Sequence, residues 1–238
     1  MLTIRPSAAR GYANHGWLES FHSFSFASYY DPAHMGFSVL RVINDDKVAP
    51  GTGFGMHGHQ DMEIITYMLA GELRHEDSMG NGAVIRAGDV QRMTAGTGVR
   101  HSEMNASSQS TAHLLQIWIE PQVRGLNPGY EDKTIPLAEK LDQWRVIASQ
   151  DGRADSLQVH QDITLYATVL SAAKQLPMVV PAGRSAYLHV ARGQLRVGEQ
   201  ALQAGDALLV TAETALQLQA TAEAELLWFD LPAEQRSH

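Results

Sequence analysis

The sequence predicts an all-β protein made of two related barrel domains, and three observations carry that prediction. Short apolar runs recur along the chain, a Pro- and Gly-rich stretch interrupts them near the middle, and one pair of landmarks occurs twice. The runs GFSVLRVI, EIITYML, AVIRAG, AHLLQIWIE, ITLYATVL, AYLHVA, ALLVTA and AELLWFDL are bounded by Gly, Pro, Asn and Asp. Their length and their β-branched or aromatic content suit strands of a sandwich or barrel. Only LAEKLDQW suggests a short helix. The segment PQVRGLNPGYEDKTIP has few apolar residues and reads as a linker or long crossover. It divides the chain into a first domain at 1–125, a linker at 126–143 and a second domain at 144–238, and 238 residues comfortably supply two all-β cores.

The internal repeat supports this division. YMLAGELR aligns with HVARGQLR, pairing Tyr67 with His189 and Gly71 with Gly193. IRAGDVQRMTAG aligns with LQAGDALLVTAE, pairing Gly88 and Asp89 with Gly205 and Asp206. Gly71 and Gly88 are 17 positions apart whereas Gly193 and Gly205 are 12 apart, so the second copy has the shorter hairpin.

Composition narrows the function. With 18 Lys and Arg against 26 Asp and Glu, the net charge of -8 repels a phosphate backbone, which disfavours direct nucleic-acid binding. No apolar stretch approaches the roughly 18 residues of a membrane span, and the first residues show no apolar leader, so a cytoplasmic protein is expected. The chain has no cysteine, which excludes disulfides, thiolate metal sites and cysteine nucleophiles together. Any metal must take nitrogen and oxygen ligands.

The strongest signal is GMHGHQDME followed by GVRHSEMN. His57 and His59 stand two apart, a spacing that projects both side chains to one face of a strand but to nearly opposite sides of a helix. His101 and Glu103 repeat it. Two strands that each offer a same-face pair to one barrel interior assemble a candidate metal site of three imidazoles and a carboxylate, with Glu63 as the other carboxylate that could complete it. Each histidine alone would more often be a hydrogen-bonded or surface group; the joint pattern points to a metal. This donor set suits iron, manganese, nickel, copper or zinc and does not select one by affinity. Four protein ligands on an octahedral ion leave two positions open, which suggests catalysis rather than a structural role.

These residues resemble the two cupin motifs. Gly51, His57, His59, Glu63 and Gly71 match the first, and Gly88, His101 and Asn105 the second. Two spacings depart from the usual cupin pattern: seven residues separate Glu63 from Gly71 and four separate Gly96 from His101. Pirins share both departures. The resemblance to the pirin family runs through ANHGWLESFHSFSFASYYDPAHMGFSVLRVINDD, HGHQDMEIITYMLAGELRHEDSMGN, MTAGTGVRHSEMN and LLQIWIEP. It implies a bicupin of two jelly-roll barrels in which the first holds one divalent metal with His57, His59, His101 and Glu103. Fe(II) is the first choice for that metal, ahead of Mn, Co, Ni, Cu and Zn. The second barrel is implied to have lost its metal, and PAGRSAYLHVARG indeed has no paired histidines, which leaves His189 structural.

Pirins similar to this chain cleave quercetin, which implies a small aromatic substrate, O2, and Glu103 as a catalytic base. Two other readings stand beside that one: a non-enzymatic metal- or redox-sensing protein that binds protein partners, and a non-redox cupin isomerase. The aromatic block Trp17, Phe21, Phe24, Phe26, Tyr29 and Tyr30 suits either barrel packing or the flat pocket a flavonol needs. His15, His22 and His34 are expected outside the site. His113 and Gln116 are three apart on one strand and face opposite sides of it, so at most one of them is expected to approach the metal.

Overall fold

The computed structural model describes residues 1–234. In the first half of the chain the strands are β1 (Leu2–Arg5), β2 (Gly11–Asn14), β3 (Leu18–His22), β4 (Leu40–Val48), β5 (Gly53–His59), β6 (Glu63–Ala70), β7 (Glu72–Asp77), β8 (Gly82–Arg86), β9 (Asp89–Thr94), β10 (Val99–Asn105), β11 (Ala112–Ile119) and β12 (Gly129–Thr134). A helical turn, α1 (Leu137–Lys140), precedes β13 (Arg145–Ser149), β14 (Leu157–Gln158), β15 (Thr164–Leu170), β16 (Gln175–Val180), β17 (Arg184–Arg192), β18 (Gln194–Val197), β19 (Gln200–Gln203), β20 (Ala207–Val210), β21 (Thr214–Ala220) and β22 (Ala224–Pro232). No helix among the described residues is long and apolar enough to cross a membrane.

Two compact units result, each with two antiparallel sheets. One unit comprises Gly11–Ile135 and Leu157–Gln161. Its sheets run β12-β9-β6-β11-β4-β3-β2 and β5-β10-β7-β8. Met68, Leu73, Ile85, Ala112 and Leu114, from strands of both sheets, form one buried cluster between them. Burying each large side chain of this kind contributes about 1.5–3 kcal/mol. In β10 the burial alternates strictly, with Val99, His101, Glu103 and Asn105 buried and Arg100, Ser102 and Met104 outward. That period of two is what aims the site residues.

The other unit comprises Met1–Arg10, Pro136–Ser156 and the chain from Asp162 onward. One sheet follows β1-β20-β17-β22-β15-β13 and the other β16-β21-β18-β19. Its interior is apolar, filled by Leu188, Val190, Leu195, Leu218, Leu226 and their neighbours. His189 is fully buried on β17.

The structure corrects the expected domain limits in three places. Residues 1–10 leave the first unit because β1 pairs with β20, Leu2 opposite Val210 through Arg5 opposite Ala207. Within the expected linker at 126–143, Gly129–Thr134 form β12, an edge strand paired with β9 from Gly129↔Thr94 to Thr134↔Asp89. Its polar sequence is that of an edge, held by side chains such as Thr134, whose hydroxyl donates to Asp89 at 2.6 Å. Finally, Leu157–Gln161 returns to the metal-bearing unit. The expected helix shrinks to one turn, and Asp142 adopts a left-handed φ of 55° just beyond it.

The repeat is exact in its hydrogen bonding. Gly88 N–H donates to Met68 O at 3.2 Å, and Gly205 N–H to Val190 O at 2.8 Å. Ala87 N–H donates to Gly71 O at 3.2 Å and Ala204 N–H to Gly193 O at 3.0 Å. Gly71 and Gly193 make the corresponding turns at φ of 72° and 80°. A Cβ on Gly193 would stand 1.9 Å from Glu223 O, whereas one on Gly198, at φ 59°, would meet nothing within 4 Å. Gly198→Ala should therefore cost only the left-handed backbone penalty of about 1–2 kcal/mol, and Gly193→Ala clearly more, as urea unfolding of the two variants will show.

Candidate metal centre

The antiparallel pairing of β5 with β10 sets His57 opposite His101 and His59 opposite Val99. A register shift between His101 and Glu103 then brings Glu103 opposite Phe54. The pleat turns His57, His59 and His101 toward a common point, where their ligand nitrogens lie within 4.8 Å of one another. His57 Nε2 and His101 Nε2 are 3.1 Å apart. His101 is 1% exposed, and the other two are half-buried.

The chemistry of these donors fits a metal. His57 Nδ1 lies 2.7 Å from Gly55 O. A carbonyl only accepts, so Nδ1 carries the hydrogen and Nε2 presents its lone pair to the cluster. Burial, followed by the neighbouring His57 charge, lowers His59 to about 4. Burial and then the charges of His57, His59 and His75 lower His101 to about 3. His59 and His101 are thus held in the neutral form that ligates a metal.

Glu103 is 2% exposed and faces the same interior. Thr66 Oγ1 donates to its Oε1 at 3.3 Å, Gln91 Nε2 to Oε1 at 3.1 Å, and Gln116 Nε2 to Oε2 at 2.8 Å. Burial raises it to about 7 against the lowering effect of these three donors. Its carboxylate gathers with His75 and His101 in a second group whose ligand atoms also lie within 4.8 Å. His101 belongs to both groups, while Glu103 is not in the one that holds His57 and His59. Glu63, the other carboxylate considered, is fully buried but is engaged by Thr94 Oγ1 at 3.1 Å and by His160 Nδ1 at 3.2 Å. Of the two polar residues on β11, Gln116 reaches Glu103 while His113 Nε2 turns to Asp45 Oδ1 at 2.7 Å.

A cavity of about 620 Å³ opens beside the histidines. Its apolar wall includes Trp17, Phe26, Phe54 and Trp118, and its polar wall Ser20, His22, Asn44, Asp46, Glu103 and Gln116. Trp118 stands edge-on to His59 at 5.0 Å between ring centres, and Phe26 stands edge-on to Trp118 at 5.4 Å. Of the amino-terminal aromatic block, Trp17 and Phe26 line the cavity, Phe24 is buried in the core and Tyr30 is exposed. His15 and His22 also line it, contrary to the expectation that placed them outside the site, because β3 runs beside β4 at the cavity wall. His34 does lie elsewhere, 2.7 Å from Asp31. Phe54, Trp118, Asn44 and Asp46 escaped the sequence reading, although Asn44 and Asp46 have the same two-residue spacing as the histidine pair.

Residues 4–119 match the family described as Pirin, and residues 146–231 match the one described as Quercetinase C-terminal cupin domain. A protein of Escherichia coli (strain K12) named Quercetin 2,3-dioxygenase is 45% identical over 232 residues, which cover 98% of this chain and 99% of that protein. The crystal structure of YhhW from Escherichia coli has a TM-score of 0.94 at 44% identity, covering 100% of both chains. The bacterial pirin YhhW from the same organism in complex with nickel(II) gives a TM-score of 0.93 at 45% identity, over 98% of this chain and 100% of that one. Similarity sustained through both barrels, and not confined to the histidine motifs, establishes that the chain belongs to the pirin family.

Proposed function

We propose that this chain is a cytoplasmic, metal-dependent dioxygenase that cleaves quercetin or a similar flavonol or aromatic enol with O2. One divalent ion is held by His57, His59, His101 and Glu103. The observation that carries this reading is the aromatic-walled cavity of about 620 Å³ beside three converging histidines, within the size range of small-molecule sites. A metal-sensing partner of other proteins has no need of such a cavity. The quercetin-cleaving relative and the nickel(II) complex of the similar chain support the reaction class and a divalent ion. When bound, the ion supplies a Lewis-acid centre that gathers the substrate oxygens for reaction with O2. Fe(II) is our first choice because that reaction calls for a redox-active ion, which Zn(II) is not; Mn, Co, Ni and Cu are the competitors.

The protein supplies orientation and proton handling. Trp17, Phe26, Phe54 and Trp118 offer flat apolar surface to an aromatic substrate and exclude water from it. Glu103 is the base that takes the proton of the substrate hydroxyl, since its buried carboxylate lines the cavity beside the histidines. Gln91, Gln116 and Thr66 hold its two oxygens in place. Across the cavity, Asp46 is 3% exposed and accepts from Ser20 Oγ. Burial raises Asp46 to about 7, opposed by the Ser20 hydroxyl and reinforced by the charges of Asp45 and Glu103.

Oxygen uptake with quercetin tests the reading, using protein reconstituted separately with each of the six ions. Uptake should depend on the ion and disappear in the His57→Ala/His59→Ala variant; no uptake with any ion at full occupancy would refute it. Glu103→Gln with metal retained should lower turnover by about 100-fold or more. A third expectation concerns Asp46. Its folded-state value lies above its unfolded one, so it destabilises the fold progressively as pH rises from about 4 to about 7. Asp46→Asn in the metal-free protein should therefore raise the thermal midpoint more at pH 8 than at pH 5. Equal shifts at the two values would contradict this.

A further inference from the structure

Beyond the four expected ligands, a third same-face pair points at the cluster. His75 and Asp77 stand two apart on β7, the neighbour of β10, with Asp77 opposite His101 and His75 opposite Glu103. Both side chains are fully shielded from solvent. Asp77 is pinned by the turn that follows it: Oδ1 accepts the backbone N–H groups of Met79 at 2.9 Å and Asn81 at 3.0 Å, and Oδ2 accepts Asn81 Nδ2 at 2.9 Å. His75 Nε2 lies 3.1 Å from that Oδ2, and its Nδ1 lies 3.5 Å from His101 Nδ1. The Tyr130 ring stacks on His75 with centres 4.6 Å apart, which restrains the imidazole from turning.

We infer that Asp77 and His75 are positioning residues that form a hydrogen-bonded relay behind His101 and fix the tautomer in which its Nε2 lone pair faces His57 and His59. The inference rests on the reading of His101 as a metal ligand. An ionised carboxylate only accepts, so the hydrogen on His75 sits at Nε2 and leaves Nδ1 as an acceptor. His101 then donates from Nδ1, and its Nε2 carries a lone pair. Gly55 imposes the same tautomer on His57, so two lone pairs meet across 3.1 Å. That arrangement repels itself unless a cation stands among the donors. Ligating histidines commonly give their second N–H to an oriented acceptor, and loss of that acceptor costs about 10–100-fold in metal affinity. Here the acceptor is itself a histidine, backed by a carboxylate.

The test measures tautomer and affinity, and it does not depend on turnover. Imidazole ¹⁵N NMR of the full-length, metal-free protein should show His101 protonated at Nδ1, and Ni(II) affinity is read by chelator competition. His75→Leu removes the acceptor and should yield mixed His101 tautomers with Ni(II) bound about 10–100-fold more weakly. His75→Asn places an amide oxygen near the Nδ1 position and should restore both readouts to within a few-fold of the parent. Should His75→Leu fail to fold, Asp77→Asn carries the test, with a shift in the same direction. The relay is overturned by a parent His101 protonated at Nε2, or by folded His75→Leu or Asp77→Asn with unchanged tautomer and affinity. It is also overturned by His75 variants that lose Ni(II) as completely as His101→Ala, which would make His75 a ligand. A parent that shows the Nδ1–H tautomer but binds no Ni(II) would support the relay and refute the metal assignment.

Discussion

Everything at the centre depends on the way an antiparallel sheet repeats side-chain direction in two dimensions. Along each strand every second residue faces inward, and across the sheet opposite residues stand together. In the order β5-β10-β7 this produces rows: His57, His101 and Asp77 across three strands, with Glu103 and His75 along the next row. A single-residue slip of β10 would turn Arg100, Ser102 and Met104 inward and empty the site of its chemistry. Val99, buried on β10 against Ile64, Met93 and Ala95, resists such a slip, because the same movement would turn it outward.

The two barrels divide the work. Their repeated hairpins are superimposable in hydrogen bonding, yet one interior holds histidines, carboxylates and amides while the other is lined with leucine, valine and alanine. Polar groups out of water need partners, since each unsatisfied one costs about 1–3 kcal/mol. Thr66, Gln91 and Gln116 answer that requirement around Glu103, and Thr94 and His160 answer it around Glu63. The core cluster between the sheets of the other barrel is apolar and asks for no such partners.

Much of this was legible in the sequence where the signal was local. Same-face histidine pairs, short apolar strands and the Gly landmarks all follow from a period of two or from a turn, and these survive folding unchanged. Long-range pairing leaves no such trace: nothing in MLTIRP distinguishes a strand of the near barrel from one of the far barrel. Strand β12 has the sequence of a linker because an edge strand with one exposed side needs no alternation of apolar residues. His75 and Asp77 repeat the spacing of the ligand pairs, but RHEDS carries the composition of a solvated hairpin and masks them. Asp46 was hidden likewise in RVINDDK, where acidic neighbours suggest a surface turn but the strand buries every second one.

The bond between Glu63 and His160 spans 97 residues of chain. On a ribosome adding about 5–20 residues per second, the carboxylate emerges some 5–20 s before the imidazole that meets it. During that interval the first barrel has His57, His59 and His101 and nearly all its strands but lacks the segment that brings His160 to Glu63. Newly made chains therefore carry the three converging histidines before the partner of Glu63 has been made, so the last piece of this unit is supplied only after Pro136–Ser156 of the other unit has been translated.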